Sequence, residues 1–303
     1  MPDDRPTLKV VELCSGIGCQ LRGLENSGVF DVECVATSEI NIDAIICYSA
    51  IHHGLTEEMV DNYNFPPLDE MREYLERLNI GYSPEKDAAY NWRKSGKVFE
   101  RKIKKTYLAC LLSKNLGDIS RIECLPKANL WFISAPCTDI SNSGRMEGFA
   151  EGSGTRSSIV WNTIRLLRNA KEMDTLPEYM MLENVKNLVS KVFINDFNRL
   201  NEKISEFGYN VYYQIIDAKN TGIPQHRERV FVVYIRKDID KCQFTFPQPF
   251  DNGVYINDVL FDEVDESYYI ETEKAHDLIK EIVDSDRINL AKIADIGMVS
   301  TRI

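Results

Sequence analysis

Basic charge is the first thing this sequence is short of. Its 303 residues hold 36 lysines and arginines against 47 aspartates and glutamates, a formal net charge of −11. A surface built to grip phosphates throughout would have the opposite balance, so any polyanion has to meet a local basic cleft. Paired cysteine spacing is missing as well. The eight cysteines are scattered with no CxxC pair, which argues against a zinc ribbon or a disulfide framework and for reduced thiols and no metal. No apolar run is long enough to cross a bilayer, and MPDDRPTLKV lacks the basic-then-apolar order of a secretory leader. The expectation is a cytoplasmic chain with no membrane partner. Internal repeats and low-complexity tracts are absent too.

What is present alternates strand and helix. LKVVEL, residues 8–13, reads as a buried strand and runs into the turn Ser15-Gly16-Ile17-Gly18, after which CQLRGLENSG has helical spacing and a stop at Gly28. Glycines in such a turn let a ligand approach the backbone, and the following helix offers unpaired N–H groups. A second strand, DVECVATSE, ends in Glu39, about twenty residues on, where an acidic side chain can hold ribose hydroxyls. The dinucleotide pattern needs a third glycine, which is lacking here, so a nucleoside ligand such as S-adenosyl-L-methionine fits better than NAD. The competing reading is a tight structural turn and a surface glutamate.

Ile40 to His53 reads as a helix with Ile42, Ile45, Ile46 and Ser49 or Ala50 inward, and His52-His53 as a helix-terminus pair and not a metal site. About 55–115 interrupts the alternation as a helical insertion. Its basic cluster, Arg93 to Lys105 with Trp92, Phe99 and Tyr107, is either a solvated face or a phosphate-contacting flank. Gly117-Asp118-Ile119 is a polar turn able to bring one acid near the base of a cofactor.

The chain is organised around WFISAPCTDIS, residues 131–141. The strand KANLWFISAP delivers Cys137 to an exposed turn, and Pro136 with the polar residues after it favours a loop. In an open α/β sheet that crevice binds ligands, which makes Cys137 a candidate nucleophile; the alternative is an ordinary core thiol. The glycine-rich loop SNSGRMEGFAEGSGTRSS follows and is expected to close over a substrate. PEYMMLENVKNL forms a strand ending near Glu183, and FINDFNRLNEKISEFGYN a helix stopped at Gly208. VYYQIIDA and RVFVVYIR are strands joined by a loop in which Gln225, Arg227 and Arg229 alternate toward one side. Residues 1–240 are expected to form one domain. From 241 the chain reads as linker with one helix in VDESYYIETEKAHDLIKEIVDS.

Four stretches, ELCSGIG, APCTDIS, LENV and GIPQHRERVFVV, stand in an order that resembles the cytosine carbon-5 DNA methyltransferase family over about residues 8–236. DAIICYSAIHH and GSGTRSSIVW look like the bacterial, mollicute CpG-methylating kind. The resemblance implies a doubly wound, Rossmann-like α/β fold, with a mostly parallel mixed sheet and helices on both faces. Its implied activity is methylation of a flipped cytosine in double-stranded DNA, in a restriction-modification setting. Cys137 would add to carbon 6, Glu183 would act at ring N3, and Arg229 would hold O2 with Arg227 in support. Cys14, Ser15, Gly16, Ile17, Gly18, Glu39, Ile40, Asp118, Ile119 and Pro136 would line the S-adenosyl-L-methionine pocket.

The chain departs from the family pattern in places. Cys14 stands where the family usually has phenylalanine, Cys19 where it has glycine, and Thr138 where it has glutamine. The later arginine- and glutamine-bearing stretch and the final GNS-type segment are not found, so 241–303 would begin an incomplete target-recognition region. A second polypeptide, or truncation, is the corresponding expectation. Two alternatives stay open: a tRNA cytosine-5 methyltransferase, and a non-catalytic remnant that binds S-adenosylmethionine or DNA.

Overall fold

A computed structural model describes residues 5–83, 86–141, 146–261, 263–265, 267 and 272–284. They divide into two compact units, Met1–Gln214 with Val230–Phe244, and Ile215–Arg229 with Thr245–Ile303. The 215–229 connection groups with the stretch from Thr245 on.

Six strands form one sheet in the order β2-β1-β3-β4-β6-β5. They are β1 Thr7–Leu13, β2 Asp31–Ser38, β3 Leu130–Ile133, β4 Tyr179–Val185, β5 Tyr209–Asp217 and β6 Glu228–Arg236. β1 pairs in parallel with both β2 and β3, and β3 in parallel with β4. The chain winds outward from β1 to β2 and then crosses back to β3, so the order reverses between β1 and β3. In a doubly wound sheet that reversal opens a crevice at the carboxyl ends of the strands.

Val10, Val11, Glu12 and Leu13 of β1 are all at most 2% exposed. Successive strand residues face opposite ways, so both faces of the sheet must be covered. On one face Val11, Leu13, Trp131, Ile133, Met180, Leu182, Val230 and Val232 share a core with α6 (Asn162–Glu172) and α7 (Ile194–Ser205). On the other, Glu12 receives the hydroxyl of Tyr48, from α2 (Ile42–His53), at 2.7 Å. A doubly wound arrangement follows directly. α2 starts two residues later than its apolar pattern suggests because the Asn41 side chain accepts Asp43 N and Ala44 N, both at 3.0 Å. Ala50 faces outward, and the inward position the pattern misses is Tyr48.

The insertion folds as α3 (Glu57–Asn62), α4 (Leu68–Arg77) and α5 (Lys97–Leu112), around a second core with Ile42, Ile45, Met71, Leu75, Trp92 and Ile103. Three members of its basic cluster are engaged by the insertion's own acids. Arg93 meets Glu76 at 2.8 Å, Arg101 meets Glu57 and Asp61 at 2.6 Å, and Lys105 also meets Glu57. Trp92 is 1% exposed and donates its indole N–H to Ile80 O at 3.0 Å. β3 is four residues long where ten were expected. Its ladder closes at Ile133, after which Ser134 N still donates to Leu13 O at 3.0 Å before the chain turns away.

α1 (Cys19–Asn26) begins at the glycine turn. Gly16 and Gly18 both have positive φ, +55° and +79°, but differ in surroundings. A Cβ on Gly16 would meet nothing within 4 Å, whereas one on Gly18 would lie 2.3 Å from His52 Nε2 and 2.6 Å from the Tyr48 ring. We expect Gly18→Ala to lower unfolding free energy by about 2–4 kcal/mol, strain plus overpacking, and Gly16→Ala by about 1–2 kcal/mol. Urea denaturation of both variants measures the difference, and equal losses would contradict the crowding at Gly18.

Burial raises the Glu12 carboxyl to about 7, with the Tyr48 hydrogen bond working against it. The folded chain then holds a proton that the unfolded chain releases near the ordinary carboxylate pKa, so stability is greater at low pH and falls as pH rises from about 4.5 to about 7. The fall is about 3 kcal/mol. Chemical denaturation at pH 5 and pH 7.5 should show this decline in the wild type and its loss in Glu12→Gln.

Candidate active site

A cavity of about 800 Å³ opens at the strand ends. β1 leads into it through Cys14 and Gly16, β2 through Ser38 and Glu39, and the segment after β3 through Ser134 and Pro136. Ile40, Asp118 and Ile119 also line it, with Arg121 and the Gly154–Arg156 stretch. Seven of the ten residues expected around a cofactor thus border one space. Ser15, Ile17 and Gly18 do not. Ser15 N is used in a backbone bond to Ser38 O at 3.1 Å, Ile17 is exposed with its carbonyl 3.2 Å from His52 Nε2, and Gly18 packs on Tyr48 and His52.

Glu39 is held by backbone donors. Its Oε2 accepts Gly16 N at 2.9 Å, and its Oε1 accepts Ile40 N and Asn41 N, both at 2.8 Å. Asp118 is 8% exposed and similarly surrounded, with Asn79 Nδ2 at 2.7 Å on Oδ2 and the Ser120 N–H and hydroxyl on Oδ1. Arg165 of α6 donates to the carbonyls of Ile119 and Ile122, tying this turn to the helix. Burial, then the neighbouring Glu39 and Asp118 charges, push the Cys14 thiol far up, so it stays protonated. These carboxylates, the open backbone at Gly16 and the apolar surface of Ile40, Ile119 and Pro136 suit a nucleoside that carries a positive charge. Among the described residues no group of three or more His, Cys, Asp or Glu could hold a metal ion.

Cys137 follows this cavity by one residue. It is half-buried, packed against the main core, and so less exposed than a bare turn would make it. Its carbonyl accepts Ser141 N at 2.8 Å and Ile140 N at 3.2 Å, which folds 137–141 into a compact turn. Glu183 comes one residue after Leu182, the partner of Ile133 in the β3–β4 ladder. Two asparagines bind the strand end to the cysteine turn: Asn184 Nδ2 donates to Ala135 O at 3.0 Å, and Asn187 Nδ2 to Ile140 O. Both candidates therefore stand at adjacent strand ends on a braced frame.

Asp139, which the sequence marks only as one of the polar residues favouring a loop, completes the bracing. It is 2% exposed, its N–H donates to Ser157 Oγ at 3.1 Å, and its Oδ2 accepts Ser157 N at 2.8 Å. Gly148 N also donates to Asp139 O, at 2.9 Å, and Trp161 Nε1 to Phe149 O, at 2.6 Å. From Met146 on, the glycine-rich loop is anchored and borders this cavity; Asn142–Arg145, which the closing-loop expectation also covers, lie outside the described residues.

Arg227 and Arg229 belong to the second unit. There the Asp217 carboxylate organises the connection, accepting Arg227 N at 3.0 Å and lying 2.5 Å from His226 Nδ1. Burial opposes its ionisation, but these donors hold it below the usual carboxylate range. β6 begins only at Glu228, so Gln225 and Arg227 are not in a strand and the expected alternation does not apply to them. Arg227 is exposed and Arg229 half-buried, with Nη1 donating to Glu228 O at 2.8 Å.

The family profile for C-5 cytosine-specific DNA methylase matches residues 8–69 and 93–295. That match runs well past 236, where the recognisable motifs end. The chain is 37% identical over 272 residues to type II methyltransferase M2.ScrFI of Lactococcus lactis subsp. cremoris, covering 89% of this chain and 72% of that protein. It is 33% identical over 231 residues to orphan methyltransferase M.SssI of Spiroplasma monobiae, covering 75% of this chain and 58% of that one. Among solved structures, the methyltransferase EhMeth of Entamoeba histolytica superposes with a TM-score of 0.51 at 19% identity, over 88% of this chain and 63% of that chain, a likeness of fold alone. With strand order, motif order and profile in agreement, the chain belongs to the C-5 cytosine-specific DNA methylase family.

Proposed function

We propose that this protein transfers a methyl group from S-adenosyl-L-methionine to carbon 5 of a cytosine flipped out of double-stranded DNA, using Cys137 as nucleophile. The observation that carries this reading is the β3–β4 register. It brings the Cys137 turn and Glu183 to neighbouring strand ends, braced by Asn184, with Pro136 bordering a cavity lined by Glu39 and Asp118. Cytosine carbon 5 is a poor nucleophile by itself. Addition of the Cys137 thiolate to carbon 6 forms a C–S bond and moves the ring electrons toward carbon 5, giving it enamine character. Bound S-adenosylmethionine supplies an electrophilic methyl on a sulfonium.

Glu183 acts at N3, offering a proton as charge develops there, and Arg229, supported by Arg227, holds O2. Loss of the carbon-5 proton then expels the thiolate and restores the aromatic ring. A thiol at its reference pKa of ~8.5 is only a few per cent ionised at neutral pH, so the site has to favour the thiolate. Flipping a base out of the duplex costs a few kcal/mol, which protein contacts must offset. The stretch after 240 is the part we assign to the start of a target-recognition region. The setting is a restriction-modification system in the cytoplasm.

The reading is tested with duplex DNA carrying 5-fluorocytosine, S-adenosylmethionine and the purified chain. Without a carbon-5 proton to lose, the covalent intermediate should accumulate and survive denaturation, and Cys137→Ser should form none. An RNA substrate run in parallel separates DNA from tRNA methylation; an adduct on RNA alone would overturn the DNA assignment. The expected second polypeptide has no support in the comparisons, and turnover by the chain alone removes the need for it. Glu183→Gln should slow methyl transfer to ordinary cytosine by about 10²-fold or more while cofactor binding is kept, as single-turnover kinetics would measure.

A further inference from the structure

Three residues that line the cofactor cavity, Asn79, Tyr82 and Asp87, come from 70–92, the one internal stretch that the family profile passes over. The described part of this stretch is secured to the cofactor-binding turns at several points. Gly81 N donates to Ile40 O at 2.7 Å, Asp118 N to Leu78 O at 3.0 Å, and Asn79 Nδ2 to Asp118 Oδ2 at 2.7 Å. The approach is so close that a Cβ on Gly117 would lie 2.1 Å from Leu78 O. On the far side, Ile80 O takes the Trp92 indole N–H and Ser83 pairs with Ala88.

Among the described residues lining the cavity, Tyr82 is the only aromatic one. Its hydroxyl donates to Asp87 Oδ1 at 2.5 Å, which fixes the phenol end and leaves the ring half-buried at the cavity wall. The Asp87 bond pushes the phenol up, so it stays a neutral donor. At the opening of the glycine turn, where the family usually has phenylalanine, this chain has Cys14, a small side chain with no ring.

We propose that Tyr82, carried by the stretch that the family profile passes over, packs on the adenine of S-adenosylmethionine. The inference rests on the reading of this cavity as the cofactor site. A ring held from one edge by Asp87 presents a π-face, and base–aromatic stacking requires little more than such a face. The insert therefore contributes to cofactor affinity as well as to packing.

Calorimetric titration of the purified chain with S-adenosylhomocysteine and with 5′-methylthioadenosine, which keeps adenosine but lacks the amino-acid end, tests the assignment. Tyr82→Leu should weaken both ligands by roughly tenfold or more, the scale of a lost base stack. Tyr82→Phe should stay within about twofold of wild type, since the ring is kept. Thermal melting of both variants checks that they fold; if Tyr82→Leu does not, Tyr82→Met serves in its place. Unchanged affinity in the Leu or Met variant, or weakening confined to S-adenosylhomocysteine, overturns the adenine contact while leaving the cavity assignment intact. Wild-type protein that binds neither ligand, or binding indifferent to Glu39→Ala, overturns the cavity assignment and the Tyr82 proposal with it.

Discussion

The Glu39 carboxylate holds together the part of the molecule on which everything else is placed. It collects three backbone N–H groups, one from the glycine turn after β1 and two from the start of the segment leading into α2. Charge-assisted bonds of this kind are about twice as strong as neutral ones, so two strand-to-helix turns are joined at one point. Ile40, whose N–H is one of the three, uses its carbonyl to receive Gly81 N from the insertion. Moving this carboxylate would loosen the glycine turn, the start of α2 and the wall beyond it together. It can serve a ligand because its two oxygens have more acceptor capacity than the three N–H groups use.

Much of this was legible in the sequence where the signal is periodic or local. LKVVEL followed by a glycine turn, PEYMMLENV with its glutamate at the end, and the short apolar run before Pro136 all have the residue types their elements require, and the structure has strands at each. Contacts across the chain were not legible. Gly18 looks like a ligand-approach glycine until His52, 34 positions later, is seen against it. Tyr48 is an inward residue of α2 that the pattern of Ile42, Ile45, Ile46 and Ser49 or Ala50 passes over, and its hydroxyl satisfies buried Glu12. The alternation of Gln225, Arg227 and Arg229 suggested a strand, but Asp217 claims the Arg227 N–H and His226 instead.

The acidic balance and the basic cluster explain each other in part. Arg93, Arg101 and Lys105 look on paper like a positive face, but each spends its charge on Glu57, Asp61 or Glu76 of the same helical insertion. Exposed pairs of this kind add little to stability. Their effect is to tie α5 to α3 and to join Arg93 to α4, so that region serves as scaffold for α2 and for the wall of the cavity.

The reciprocal bonds between Asp139 and Ser157 make the chain leave and return to a single point. Whatever lies between those two residues is an excursion whose ends are already joined, and closing a longer excursion costs only about 0.6 kcal/mol for each doubling of its length. Cys137 sits just outside the excursion, on the braced side. Within the excursion, Ile140 and Ser141 still hold the Cys137 carbonyl and Phe149 is buried in the main core, so these positions are tied to the thiol's turn and to the fold. The clasp of two residues thus keeps the cysteine turn and the cavity-lining end of the excursion, Gly154–Arg156, in one place.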